Sequence, residues 1–251
     1  MPVIHPILVG KDNYVWLLET SASEAVVFDP GDSAPVAQVL QRRGLGLSHI
    51  LITHHHHDHI DGVAALAREY HARVVGHVQD ANRLPPLDLP VEDGDTFPLG
   101  PWQCAVVATP GHTSGHVVYH IGDALFTGDT LFSLGCGRLF EGTPAMMWHS
   151  LQRLRSLSGV TRIYPAHEYT LANLGFALGL EPENRELLLL RQWIFAQTDQ
   201  GRPTLPTTWE RERRHNPFFR VEDPEFVRLI AQDGKPTVDV FAHVRTLRNH
   251  Y

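Results

Sequence analysis

Residues 53–59 read Thr53-His54-His55-His56-His57-Asp58-His59, and no other segment limits so strongly what this chain can fold into. In extended backbone, alternate side chains share a face, so His54 and His56 can reach one point while His55 and His57 turn away. A helix starting near Asp58 turns the chain and presents Asp58 and His59 to a neighbouring point. The apolar run at 49–53 reads as a buried strand that delivers the cluster. The block is internal, unlike a cloning tag. Four donors in the pattern His-x-His-x-Asp-His are also far more specific for a metal than a single pair or a histidine-rich surface patch.

Three later segments each place one donor after a predicted strand or turn. Thr109-Pro110-Gly111-His112 offers His112, Phe126-Thr127-Gly128-Asp129 offers Asp129, and Tyr164-Pro165-Ala166-His167 offers His167. Taken singly, each residue is an ordinary turn or capping residue. Taken jointly they complete two sites. His54, His56 and His112 hold one ion, Asp58, His59 and His167 the other, and Asp129 bridges them through both carboxylate oxygens. Asp58 can also orient a water between the ions. Asp29, in an Asp-Pro-Gly turn, is either a plain turn residue or the partner that fixes a histidine tautomer.

Charge and cysteine content narrow the chemistry. The chain has 251 residues, 21 basic and 28 acidic, for a net charge of -7, the wrong sign for a nucleic-acid binder. Positions 1–170 hold 17 of the acidic residues, 10 of the basic ones and 14 of the 17 histidines, the side chains that borderline and hard dications prefer. Cys104 and Cys136 are too few for a disulfide framework and are not spaced as a zinc knuckle, so the ligands are nitrogen and oxygen. Glycine-flanked Cys136 reads as a packing residue. No apolar run reaches the roughly 18 residues of a membrane span, and the start lacks the pattern of a secretory signal. A cytoplasmic monomer with no nucleic-acid or membrane partner is expected.

Strands are predicted at 3–9, 14–18, 25–28, 49–53, 72–75, 103–108, 117–121, 124–127 and 162–164, and a helix at 33–43. Thr143 and Pro144 supply an N-cap and first position for another helix. Beyond about residue 170 glycine falls from 16 residues to four and helical periodicity dominates. One helix starts near Pro182 and carries Leu187, Leu190, Trp193, Ile194 and Gln197; another covers 238–248. The expected organisation is a metal domain at 1–170 and a separate helical domain at 171–251.

The ordered set His-x-His-x-Asp-His, then His, Asp and His, resembles the metallo-β-lactamase superfamily. The segments Gly135-Cys136-Gly137-Arg138-Leu139-Phe140-Glu141-Gly142-Thr143 and Ala166-His167-Glu168-Tyr169-Thr170 are similar to those of the hydroxyacylglutathione hydrolases, the glyoxalase II family. The resemblance implies an α/β fold, an αββα sandwich followed by a C-terminal helical domain, with two divalent ions at one sandwich edge. Zinc is expected, and iron and manganese suit the same donors. It further implies hydrolysis of S-2-hydroxyacylglutathione, such as S-D-lactoylglutathione, to D-lactate and glutathione, the second step of methylglyoxal detoxification. Arg138, Phe140, Tyr169, Arg245 and Arg248 line the implied glutathione site. Of the 21 basic residues 19 are arginine, suited to bidentate contacts with the two glutathione carboxylates.

Several positions depart from that family pattern. Phe140 stands where a tyrosine hydroxyl often touches glutathione, Arg138 and Arg248 stand where lysine can occur, and Asp61 replaces a frequent glycine. Two alternatives share the scaffold: an iron-dependent glutathione persulfide dioxygenase, and a non-catalytic metal or glutathione sensor.

Overall fold

Along residues 117–121 the side chains divide by parity. Val117, Tyr119 and Ile121 enter one apolar cluster while Val118 enters another. A strand with core on both faces must lie between two layers. The computed structural model, which describes residues 1–251, has that arrangement throughout.

The first sheet is formed by β1 (Val3–Val9), β2 (Asn13–Glu19), β3 (Glu24–Phe28), β4 (Gly46–Leu51), β5 (Arg73–His77) and β6 (Leu89–Val91), in that spatial order. Strands β1 to β3 are antiparallel, and β3 to β6 are parallel. Parallel neighbours need crossovers. Helix α1 (Ser33–Arg43) joins β3 to β4, while α2 (His57–Ile60) and α3 (Val63–Tyr70) join β4 to β5. Asp32 caps α1 by accepting from the Ala34 N–H, and Gly44 ends it in the left-handed conformation. Val36 and Leu40, one turn apart, then pack on the outer face of the sheet with Val63 and Leu66 of α3.

The second sheet contains β7 (Thr96–Leu99), β8 (Trp102–Ala108), β9 (Val117–Ile121) and β10 (Ala124–Gly128). After a two-stranded ribbon, β11 (Leu131–Phe132) with β12 (Gly135–Cys136), come helix α4 (Pro144–Arg155) and strand β13 (Arg162–Pro165), which pairs in parallel with β10. The inner faces of the two sheets meet in a cluster that includes Trp16, Phe28, Tyr119, Phe126 and Tyr164. Phe28 and Phe126 stack across it with centroids 3.6 Å apart. Each such buried side chain contributes about 1.5–3 kcal/mol. The αββα sandwich expected from the resemblance is therefore the observed fold.

Helices α5 (Thr170–Leu180), α6 (Arg185–Thr198), α7 (Trp209–His215), α8 (Pro224–Leu229) and α9 (Thr237–His250) complete the chain, with strand β14 (Thr207–Thr208) added beside β13. The larger core of this segment is shared. Phe218, Phe226, Val240, Phe241 and Val244 close one cluster with Val118, Leu125, Met147 and Leu151, so residue 170 marks a change of element type within continuous packing. Leu187 and Ile194 of α6 are buried as the periodicity predicts, but Trp193 is partly exposed, with the Arg211 guanidinium over its ring.

Four strands end at the same edge of the sandwich. Residues 52–59 follow β4, His112 follows β8, Asp129 follows β10 and His167 follows β13. Loops at one sheet edge held by a rigid scaffold are where convergent side chains can be fixed.

Candidate metal centre

The seven predicted donors converge at that edge in overlapping groups. His54 Nε2 and His112 Nε2 each lie 3.0 Å from His56 Nδ1, and His112 Nε2 is 3.3 Å from Asp129 Oδ2. The other oxygen of Asp129, Oδ1, is 3.6 Å from His59 Nε2 and 3.3 Å from His167 Nε2; both nitrogens are 3.6 Å from Asp58 Oδ2. Ligands about 2.0–2.1 Å from a tetrahedral zinc stand roughly 3.3–3.4 Å from one another, so both groups have the spacing of a coordination shell. His59 Nε2 and Asp129 Oδ1 are buried with no hydrogen-bond partner. Leaving such atoms unpaired costs about 1–3 kcal/mol each, a cost that a bound cation removes. The donor set fits a divalent metal.

Neighbouring groups hold the donors in place. Asp29, buried and at φ 51°, accepts from the Thr53 N–H and hydroxyl at 2.7 Å and lies 3.2 Å from His59 Nδ1. It is thus more than a turn residue. His112 Nδ1 donates to the Arg138 carbonyl at 2.8 Å. His116 accepts from the Asp129 N–H at 3.1 Å, while its Nδ1 faces the Thr109 and Thr130 hydroxyls. Sequence reasoning passed over His116, which only its place in the His-x-x-x-His run could have signalled. Asp12 and Asn13, which stand in no recognisable motif, join in as well: Asp12 Oδ1 lies 3.0 Å from His167 Nδ1 and the Asn13 amide donates to Asp58 Oδ2 at 3.0 Å. Gly137 passes so close to the Asp129 carbonyl that a Cβ would stand 1.9 Å from it.

Electrostatics divide the two groups. Burial, reinforced by neighbouring imidazoles, holds His54 well below its usual range and brings His56 to about 4; burial also lowers His112. These rings are neutral donors at neutral pH. At His167 and His59 burial acts the same way, but the carboxylates outweigh it. Asp129, Asp12 and Asp58 raise His167 to about 9, and Asp129, Asp29 and Asp58 raise His59. Burial opposes ionisation of Asp129, yet His167 and His59 keep it far below the ordinary carboxylate range.

A cavity of about 440 Å³ opens beside His112 and Asp129. Its walls bring together Phe132, Arg138, Phe140, Tyr169, Arg245 and Arg248, and Tyr169 stacks on His167 with centroids 4.7 Å apart. Phe140 is 64% exposed at the mouth, edge-on to His56 and His112. Arg245, in the cavity wall as expected, is also tied to backbone. It is 5% exposed and donates to the Cys136 carbonyl at 2.7 Å and the Gly137 carbonyl at 3.4 Å. It therefore secures the segment leading to Arg138. The segment reaches the last helix because Val240 and Val244 pull that helix into the core beneath it.

Residues 9–167 match the metallo-beta-lactamase superfamily, and residues 168–251 match the hydroxyacylglutathione hydrolase C-terminus. The hydroxyacylglutathione hydrolase of Photobacterium profundum is 45% identical over 255 residues, covering 100% of each chain. This chain belongs to the hydroxyacylglutathione hydrolase family. A second family relative, from Ruegeria pomeroyi, is 43% identical and covers 96% of each chain. Among solved structures, ETHE1 from Myxococcus xanthus superposes with a TM-score of 0.67 at 27% identity over 99% of this chain and 100% of its own. TTHA1623, in a di-iron-bound form, gives 0.62 at 28% identity over 85% and 99%. In this family member Asp61 pairs with exposed His57 at 3.0 Å, on the surface where α2 ends.

Proposed function

We propose that this chain hydrolyses S-2-hydroxyacylglutathione thioesters, S-D-lactoylglutathione among them, to a 2-hydroxy acid and glutathione, using two zinc ions. One observation carries the reading: a cavity with cationic walls opens onto a cluster of seven metal donors. Its size lies in the range of about 300–1,000 Å³ usual for small-molecule sites.

His54, His56 and His112 would hold the first ion, Asp58, His59 and His167 the second, and Asp129 would serve both. When bound, two divalent ions would lower the pKa of a water to about 7 and supply positive charge for a developing oxyanion. Asp58 is the most solvent-exposed carboxylate of the set, with 53% side-chain exposure against 10% for Asp129. It is the group placed to accept a hydrogen bond from the attacking water. Arg138 and Arg248 draw the glutathione carboxylates into the cavity, and Tyr169 lines the approach to the thioester. The sulfur leaves as a thiolate, which needs no dedicated general acid. Arg245 acts at one remove, by holding the Cys136 and Gly137 carbonyls and so the backbone of Arg138.

The deciding experiment compares substrates on zinc-loaded protein. Cleavage of S-D-lactoylglutathione is expected to be far faster than that of nitrocefin or an acyl-homoserine lactone. An inert thioester alongside turnover of either competitor overturns the assignment. Oxygen consumption with glutathione persulfide and one iron per chain would replace it with the dioxygenase.

A further inference from the structure

The turn between β1 and β2 lies 45 residues from Asp58 and 155 from His167 in sequence, yet reaches both. It is clamped there by backbone. The Tyr14 N–H donates to the Ala166 carbonyl at 2.7 Å, the Glu168 N–H donates to the Asp12 carbonyl at 2.8 Å, and Asn13 bridges to His167. Two adjacent side chains then point at different donors of one group. Asp12 Oδ1 stands 3.0 Å from His167 Nδ1, and the Asn13 amide donates to Asp58 Oδ2 at 3.0 Å and to the Asp58 carbonyl at 3.3 Å.

We propose that Asp12 and Asn13 are positioning residues for the group Asp58, His59 and His167, so that this turn sets the group's affinity for a divalent ion. A carboxylate oxygen has two lone-pair directions. The Asn13 N–H takes one on Oδ2 and leaves the other aimed toward His59 and His167. Asp12, accepting from Nδ1–H, selects the tautomer of the neutral His167 ring that offers Nε2, the nitrogen facing Asp129 and Asp58. No hydrogen bond or ion pair joins this turn to His54, His56 or His112, so its polar contacts are confined to one of the two groups. The inference rests on the proposed metal binding but not on the proposed substrate: a chain that binds zinc and leaves thioesters intact overturns the hydrolase reading alone.

The test is zinc retention by the full chain in a chelator buffer, with Asp12→Ala, Asn13→Ala and Asn13→Asp beside the exposed control Lys11→Ala. Loss of such partners typically weakens metal binding 10–100-fold. At free zinc just saturating for the wild type, the Asp12 and Asn13 alanine variants should therefore release zinc from one group only. Asn13→Asp, which sets a like charge against Asp58, should release it most readily. Lys11→Ala should match the wild type. Nitrogen-15 spectra of the histidines add a second readout: the His167 Nδ1–H signal should be lost in Asp12→Ala and kept in Asp12→Asn. Unchanged zinc affinity in both alanine variants, or equal weakening at both groups, would overturn the proposal.

Discussion

Asp129 presents one oxygen to His112 and the other to His59 and His167, so its carboxylate is shared between the groups. Asp129→Ala should lower bound zinc at both, by more than the roughly 10–100-fold that loss of a ligand's hydrogen-bond partner costs, and abolish turnover. Elemental analysis after dialysis against a weak chelator checks this; full retention of either ion would refute the shared role. Arg245 and Arg248 lie three residues apart on one helix yet differ in kind. Removing the buried Arg245 guanidinium leaves the Cys136 and Gly137 carbonyls without their charged donor. Arg245→Met should therefore cost about 1.5–3 kcal/mol in urea unfolding. Arg248, whose Nε donates to Asn173, is half-buried in the cavity wall, so Arg248→Met should raise KM while costing less than about 1 kcal/mol. Equal stability losses in the two variants would contradict the distinction.

The elements that were legible in the sequence are those whose periodicity is long enough to register. Helix 33–43 was legible from the spacing of Val36, Val39 and Leu40, and the strand at 3–9 from its short apolar run. Strands of two or three residues, such as β6, β11, β12 and β14, carry too few alternations to be recognised, and they pair only because the fold brings a partner alongside. The seven donors were readable because each is a chemically distinctive residue at a strand end. Their supports were not, since Asp12, Asn13 and His116 acquire roles only through neighbours distant in sequence. The backbone contacts of Arg245 were hidden for a related reason: spacing puts it on one face with Arg248, but packing by Val240, Phe241 and Val244 decides what its guanidinium meets. The same packing makes α9 integral to the sandwich. Phe241, fully buried against Trp148 and Phe218, should cost about 3–5 kcal/mol on replacement by alanine. A loss below about 1 kcal/mol in denaturant unfolding would mean that the helical segment folds on a core of its own.

For the whole molecule, the two donor groups make the stability of the metal-free chain depend on pH in opposite directions. His54, His112 and His116 are held below the ordinary 6.5 by burial, and His56 falls to about 4. As pH drops below 6.5 the unfolded chain takes up protons that the folded chain refuses, so stability falls. His167, raised to about 9, and His59, also raised, act on the other flank. Between 6.5 and about 9 the folded chain keeps protons that the unfolded chain has lost; that contribution is complete below 6.5 and disappears as pH rises through the folded value. Metal-free protein should thus be most stable near neutrality and decline on both sides. Bound cations remove the alkaline decline, because nitrogen must give up its proton to coordinate, and they also offset the excess of 17 acidic over 10 basic residues in positions 1–170. Urea unfolding at about pH 5, 7 and 9, with and without zinc, tests both flanks. The expected result is a midpoint that drops from pH 7 to 9 only in the metal-free chain. A parallel drop in the zinc-loaded chain would show that the alkaline loss arises elsewhere than at His59 and His167.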